Sequence, residues 1–266
     1  MVIVPSNNDF ETTWETIVTT VEANPNLNVI AQVDHGAAAA GVGLSLEPNR
    51  VLVFGNPKLG SPVMAAGRTA GIDLPQKMQV FVEDGEVYVA YNSVQYLGSR
   101  HWTNPLPQFS TIHAALKGIA AKATGNDPDA DGINVVQTIG QVTGRTTLAS
   151  SKDFDQTWDD LLAAIEGSPA DVAFTVDHGA NSNGLLAPTK LVAFGNPNLG
   201  TPFMQDQPSA GLDLPLKILV WQDDHGTTQV TTNDIGFFTT RHGIGELPQS
   251  TAAANAIQNF LKAATN

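Results

Sequence analysis

A chain of 266 residues and 28.0 kDa, 42% hydrophobic and 15% charged, has the make-up of an ordered globular protein long enough for one large domain or two small ones. A formal net charge of −13 disfavours general affinity for nucleic-acid phosphate or anionic lipid. Without cysteine there is no disulfide, thiolate nucleophile, zinc finger or iron–sulfur cluster, and no apolar run approaches the ~20 residues of a membrane span.

Read from the start, a short strand is predicted over Val2–Pro5. Asp9 then caps a helix whose Phe10, Trp14, Ile17, Val18 and Val21 recur at helical spacing, a core-packing stripe. A second strand, Asn28–Asp34, ends at an Asp-His pair, and the small residues of Gly36–Gly43 suit a short helix. A third strand, Arg50–Phe54, stops at Gly55-Asn56-Pro57, which turns the chain. Ser61-Pro62 reads as a helix N-cap followed by proline at the first helical position. Strands Lys77–Glu83 and Glu86–Tyr91 are joined through the hairpin signal Asp84-Gly85. An amphipathic helix near Phe109–Ala123 closes the unit.

The whole pattern then repeats. Asp9-Phe10 with Thr13-Trp14 returns as Asp153-Phe154 with Thr157-Trp158, and Val33–Ala37 (VDHGA) returns as Val176–Ala180. FGNPKLGSP from Phe54 returns as FGNPNLGTP from Phe194, Asp73-Leu74-Pro75 as Asp213-Leu214-Pro215, Asn92 as Asn233, and Arg100-His101 as Arg241-His242. The offset stays between 140 and 144 residues, the length of a domain. Two copies are expected, 1–125 and 146–266, each β-α-β-β-β-β-α, joined by an acidic linker over 126–145. The first copy carries seven basic against ten acidic residues and its linker one against three, whereas residues 152–266 carry five against thirteen. The fold class is α+β, with helices covering one face of a mainly antiparallel sheet, and the two copies are expected to pair as an intramolecular pseudo-dimer.

The strings DHGAAAAGVGL, VFGNPKLGSPVM, GIDLPQK and SRH, in this order and spacing, resemble the DUF302 family, a domain family of unknown function. The resemblance covers nearly the whole chain twice and implies a tandem of TBP-like α+β domains. It implies no activity, and the topology alone implies no DNA binding. The second copy departs from the pattern where Tyr91 and Tyr96 give way to Thr232 and Phe237.

Antiparallel third, fourth and fifth strands place Asn56, Lys77 and Asn92 on one sheet edge, with Arg100 and His101 close behind. Asp34-His35 joins that edge if the connection after Asp34 is a crossover that leaves strands two and three parallel; if they are antiparallel, His35 lies at the far edge. The favourable case gathers Asp34, His35, Asn56, Arg100 and His101 in one pocket, and Asp177, His178, Asn196, Arg241 and His242 in the other. Two imidazoles and a carboxylate suit a transition metal, and a His–Asp pair beside arginine suits an oxyanion or carboxylate. The same residues also serve turns and strand ends. No nucleophile elbow, P-loop or H-E-x-x-H is present.

In the linker, Asp127, Asp129 and Asp131 followed by Gly132 occupy positions 1, 3, 5 and 6 of a calcium loop, with Thr138 where the bidentate glutamate belongs. Calcium is thus the one cofactor suggested. The leading expectation is a protein binding a small molecule or ion at sheet-edge pockets. The alternatives are an enzyme with His35 or His101 as general base and Arg100 stabilising negative charge, or an interaction module without a pocket. Neither nucleic acid nor membrane is expected as a partner. No signal-type leader precedes the first strand, yet the lack of cysteine and scarcity of lysine suit an exported or salt-adapted protein.

Overall fold

The computed structural model describes residues 1–130, the backbone of 134–135, and 144–266. The first half runs β1 (Val2–Pro5), α1 (Phe10–Glu22), β2 (Asn28–Asp34), α2 (His35–Gly41), β3 (Asn49–Gly55), α3 (Pro57–Ala66), β4 (Gln76–Glu83), β5 (Glu86–Tyr91), α4 (Val94–His101) and α5 (Gln108–Thr124). After the two-residue β6 (Asn134–Val135), the second half repeats this order. It comprises β7 (Arg145–Ala149), α6 (Phe154–Glu166), β8 (Asp171–Asp177), α7 (His178–Asn181), β9 (Thr189–Gly195), α8 (Pro197–Asp206), β10 (Leu216–Gln222), β11 (Thr228–Asn233), α9 (Ile235–His242) and α10 (Pro248–Thr265). A short 3-10 segment precedes β4 and β10, at Arg68–Ile72 and Pro208–Asp213.

Every strand pair among the described residues is antiparallel. The first sheet has the order β2-β3-β4-β5-β1 with β6 on the outer edge of β1, and the second has β8-β9-β10-β11-β7. The result is α+β in two similar halves. Local chemistry accounts for the elements. Asp9 and Asp153 cap α1 and α6 by accepting 2.8 Å bonds from the amides of Thr12 and Gln156. The β4–β5 hairpin turns on Asp84 and Gly85, both at positive φ, as a tight turn matched to strand twist requires.

Ser61-Pro62 does not start a helix. Asn56 is the N-cap of α3, its side-chain oxygen accepting from the Lys58 amide at 2.9 Å, with Pro57 in the first turn and Pro62 in the helix interior. Asn196 and Pro197 do the same for α8. An asparagine N-cap followed by proline, which has no amide hydrogen to orphan, is a complete helix start, so Ser61 and Thr201 are left inside their helices.

The helices of each half cover one face of its sheet, with Phe10, Trp14 and Ile17 of α1 and Ile112, Leu116 and Ile119 of α5 in the core with Met78 and Val80 of β4. The opposite face is apolar too, and the other half covers it. Ile72, from the first 3-10 segment, packs with Val176, Leu191 and Leu219 of the second sheet. Leu212, from the second segment, packs with Phe81 and Ala90 of the first. The strands beneath are therefore buried on both sides, and β10 reads as the near-continuous apolar run LKILVW.

Side-chain amides bind one of these insertions. Gln79 and Asn49 both donate to the Pro208 carbonyl, at 2.7 and 2.9 Å. Gly211 lies so close beneath them that a Cβ would stand 2.5 Å from Asn49 Oδ1 and 2.6 Å from Gln79 Nε2. At Gly71 the tightest neighbour is the flexible tip of Leu219, at 2.9 Å. Gly211→Ala should therefore lower stability by about 1–3 kcal/mol in urea denaturation. Gly71→Ala should cost less. Equal midpoints for the two variants would contradict this asymmetry.

Candidate functional site

Register decides which candidate residues meet. Phe54 pairs with Gln76 and Met78 with Tyr91, so the end of β3, the start of β4 and the end of β5 share one edge, which collects Asn56, Lys77 and Asn92. But β2 is antiparallel to β3, with Asp34 opposite Arg50, and this carries Asp34-His35 to the opposite edge. The five-residue gathering of Asp34, His35, Asn56, Arg100 and His101 within one half therefore does not form. Nor does that of Asp177, His178, Asn196, Arg241 and His242, since Asp177 faces Lys190 in the same way. Asp34 instead caps α2 through the Ala37 amide at 2.8 Å and pairs with Arg50 at 2.8 Å. Asp177 caps α7 through the Ala180 amide at 2.8 Å.

Arg100 and His101 end α4, a helix that the sequence reading missed, and both are fully buried. Their anchor is Asp73, just beyond the 3-10 segment. Its Oδ2 accepts from Arg100 Nη1 at 2.6 Å and from His101 Nε2 at 2.8 Å. His101 Nδ1 in turn lies 2.9 Å from the Thr69 hydroxyl, while the Asp73 carboxylate, which accepts, calls for a hydrogen on Nε2. The second half repeats this with Asp213, His242 at 3.0 Å and Ser209 at 3.1 Å. Arg241 Nη1 lies 3.1 Å from Asp213 Oδ2, a charge contact set off the hydrogen-bond line.

The two clusters interlock. Arg100 Nη2 reaches Asn233 of the second half at 2.7 Å, and Arg241 Nη2 bonds Asn92 of the first. Phe237 lies under the Arg100 guanidinium at 4.5 Å, and Tyr96 under that of Arg241 at 4.1 Å. Lys77 crosses to Asp213 at 3.3 Å. Burial alone would raise the Asp73 carboxyl, but Arg100, His101 and Lys77 outweigh it and hold the group well below the usual carboxylate range. Asp213 is likewise lowered against its burial, by Arg241 and Lys77. Lys217 is pushed well below its ordinary value by burial and by the neighbouring Lys77.

Two apolar pockets lie elsewhere, at the FGNP corners. The first is lined by Phe54, Asn56, Leu59, Met64, Leu74 and Ile112 and completed by Val176 and His178 from the second half; its volume is about 90 Å³. The second is lined by Phe194, Asn196, Leu199, Phe203, Met204, Leu214 and Phe260 and completed by Val33 and His35 from the first half; its volume is about 270 Å³. So His35 keeps company with Asn196, and His178 with Asn56. Each histidine bonds a 3-10 carbonyl of the opposite half, His35 Nε2 to Gly211 at 3.1 Å and His178 Nε2 to Gly71 at 3.2 Å. Burial lowers both to about 4, partly offset by those carbonyls.

Equivalent positions explain the difference in size. Leu27, Ile30 and Ile112 line the small pocket, and their counterparts Ala170, Ala173 and Ala253 line the large one. Phe203 in place of Val63 returns only part of that space.

Asp127 and Asp129 face Lys117, whose Nζ lies 3.0 and 2.6 Å from their carboxylates; Asp131 lies outside the described residues. Among the described residues no group of three His, Cys, Asp or Glu side chains is placed to hold a metal ion.

Two antiparallel sheets, each repeated with its Asp–Arg–His anchor and its FGNP corner, define a tandem α+β protein. The chain belongs to the family described as "Domain of unknown function DUF302", whose model matches residues 2–123 and 146–264. The chain is similar to the crystal structure of an uncharacterized conserved DUF302 protein from Bacillus stearothermophilus, at 19% identity over 47% of this chain and 97% of that one, with a TM-score of 0.38. It is 39% identical over 105 residues to "Fluoride-specific ion channel FluC 1" of Brucella suis biovar 1, covering 38% of this chain and 41% of that protein. "Fluoride-specific ion channel FluC 2" of Brucella melitensis biotype 1 matches at the same identity, over 39% of its length. The chain thus spans about two fifths of the curated relatives it matches. No helix among the described residues is long and apolar enough to cross a membrane.

The buried histidines set an acid limit. Folded, His35 and His178 resist protonation down to about 4, whereas in an unfolded chain they titrate near 6.5. Between those values the unfolded state binds more protons, so stability is complete above 6.5 and falls as pH drops towards 4. His101 and His242, lowered mainly by burial, act in the same sense. By pH 5 the loss should reach about 2 kcal/mol for each of His35 and His178. Urea midpoints at pH 7.5 and 5.0 check this, and unchanged midpoints would contradict it.

Proposed function

We propose that the protein binds a small organic molecule at the corner pockets, the larger one in the second half being the working site. The observation that carries this reading is the second-half cavity of about 270 Å³, apolar in its walls and completed by His35 from the other half. An engineered apolar cavity of about 150 Å³ accepts benzene, so this space suits a molecule of about ten non-hydrogen atoms. Cofactor and drug sites share this character of apolar walls and few polar groups.

An enzyme built on His101 and Arg100 is less well supported. Both side chains are sealed in the junction between the halves, bonded to Asp73 and lining neither corner pocket. General acid–base catalysis needs the group within hydrogen-bond reach of a substrate.

The test is thermal stabilisation by uncharged bicyclic aromatics such as naphthalene and indole, in the native chain and in Ala253→Ile. The first half already carries isoleucine at the corresponding position, Ile112, so the variant should fold. It should lose at least tenfold in affinity. Binding undiminished in Ala253→Ile would remove the corner pocket as the site.

A further inference from the structure

The second-half pocket also specifies what it accepts, and this inference rests on the small-ligand reading above. Its walls are aliphatic and aromatic, and Asp171 is the one charged side chain among the described residues that line it. The guanidinium groups able to neutralise an anion, Arg100 and Arg241, are held at the junction by Asp73, Asn233, Asp213 and Asn92. An anionic ligand would meet a carboxylate at the rim and no cation inside, and burying an unpaired charge is costly. The sheet-edge anion site expected for Arg100 therefore has no counterpart in this pocket.

His35 supplies the polar contact. Its Nε2 lies 3.1 Å from the Gly211 carbonyl, and a carbonyl can only accept, so Nε2 carries the hydrogen. In the neutral ring Nδ1 is then an acceptor. Among the described residues Nδ1 makes no hydrogen bond, nor is it one of the sealed polar atoms left without a partner. The Nε2–Cδ2 edge is turned to Gly211, whose own Cβ position would stand 3.1 Å from Cδ2. His35 lines the pocket, and Nδ1 is its ring nitrogen not committed to Gly211.

The first-half pocket is different. At about 90 Å³ it falls below the space that accepts benzene, because Leu27, Ile30 and Ile112 occupy what alanines leave open in its counterpart. Two similar halves thus yield one working site.

We infer that each chain takes a single uncharged, mainly apolar molecule of about ten to twelve non-hydrogen atoms that donates one hydrogen bond, through a hydroxyl or N–H group, to Nδ1 of His35.

Three probes that share one ring system test this in the full chain at neutral pH by calorimetry: naphthalene, 2-naphthol and 2-naphthoate. Expected are one molecule of 2-naphthol per chain, binding about fivefold tighter than naphthalene, the gain of one net hydrogen bond. Binding of 2-naphthoate should be at least tenfold weaker than that of 2-naphthol. Naphthalene matching 2-naphthol would overturn the donor requirement, and 2-naphthoate matching or exceeding it would overturn the preference for an uncharged ligand. Two molecules per chain would overturn the single site. In each of those cases small-ligand binding itself survives. If none of the three binds, both the inference and the reading beneath it fall. Substituting His35 would also break its tie to Gly211, so the probe series, which leaves the protein intact, is the decisive comparison.

Discussion

Each sheet has two apolar faces, and the helices of its own half cover only one. Met78 and Val80 of β4 look towards α1 and α5, while Phe81 on the same strand looks the other way and meets Leu212 of the second half. Ile72 makes the reverse insertion against Leu191 and Leu219. Leaving such a face in water would forgo roughly 25 cal/mol for every Å² of apolar surface it buries. Much else follows from where these two segments must go. Their carbonyls at Gly71 and Gly211 come within reach of His178 and His35, and the aspartates that follow them, Asp73 and Asp213, arrive at the junction where the arginines are waiting.

Charges sealed in that junction would be unfavourable one at a time. They are tolerated because each has several partners: Arg100 touches Asp73, Tyr96, Asn233 and the Gly144 carbonyl, and rests on Phe237. The replacement of Tyr96 by Phe237 makes sense in these terms. What both residues supply is an aromatic face for the arginine of the opposite half, and the phenolic hydroxyl of Tyr96 is an addition that bonds Arg100 of its own half. Such a network gives the two halves a defined mutual orientation that apolar packing alone, being non-directional, would specify less sharply.

The strands, the first and last helices of each half and the hairpin at Asp84-Gly85 were legible because period, caps and turn chemistry agree there. Helices α4 and α9 were not, since at eight residues each they offer a single i, i+3 apolar pair, Val94–Leu97 and Ile235–Phe238, too short a period to announce a helix, and each ends in buried Arg–Asp and His–Asp contacts. Asp73 and Asp213 were visible as part of the repeated DLP string, but nothing local announced that they hold the Arg-His pairs. The pairing of His35 with Asn196 was hidden for a deeper reason. When every candidate occurs twice, a partner in the same copy and a partner in the other give the same pattern of repeated residues. Only the antiparallel register of β2 and β3 separates the two.

That each pocket is walled by one copy and completed by the other bears on what duplication made possible. Two identical unlinked subunits associating in this manner would have two identical pockets, and any mutation in the wall would alter both at once. Covalent joining frees the copies to change separately. Ile112 and Ala253 stand at one position of the repeat, as do Leu27 and Ala170, and Ile30 and Ala173. Bulky residues can thus consolidate one corner while alanines hollow out the other, and the filled corner still presents the carbonyl of Gly71 and the Asp73 anchor that the pairing requires. Linkage lets a symmetric association become asymmetric, with one corner filled and the other hollowed out.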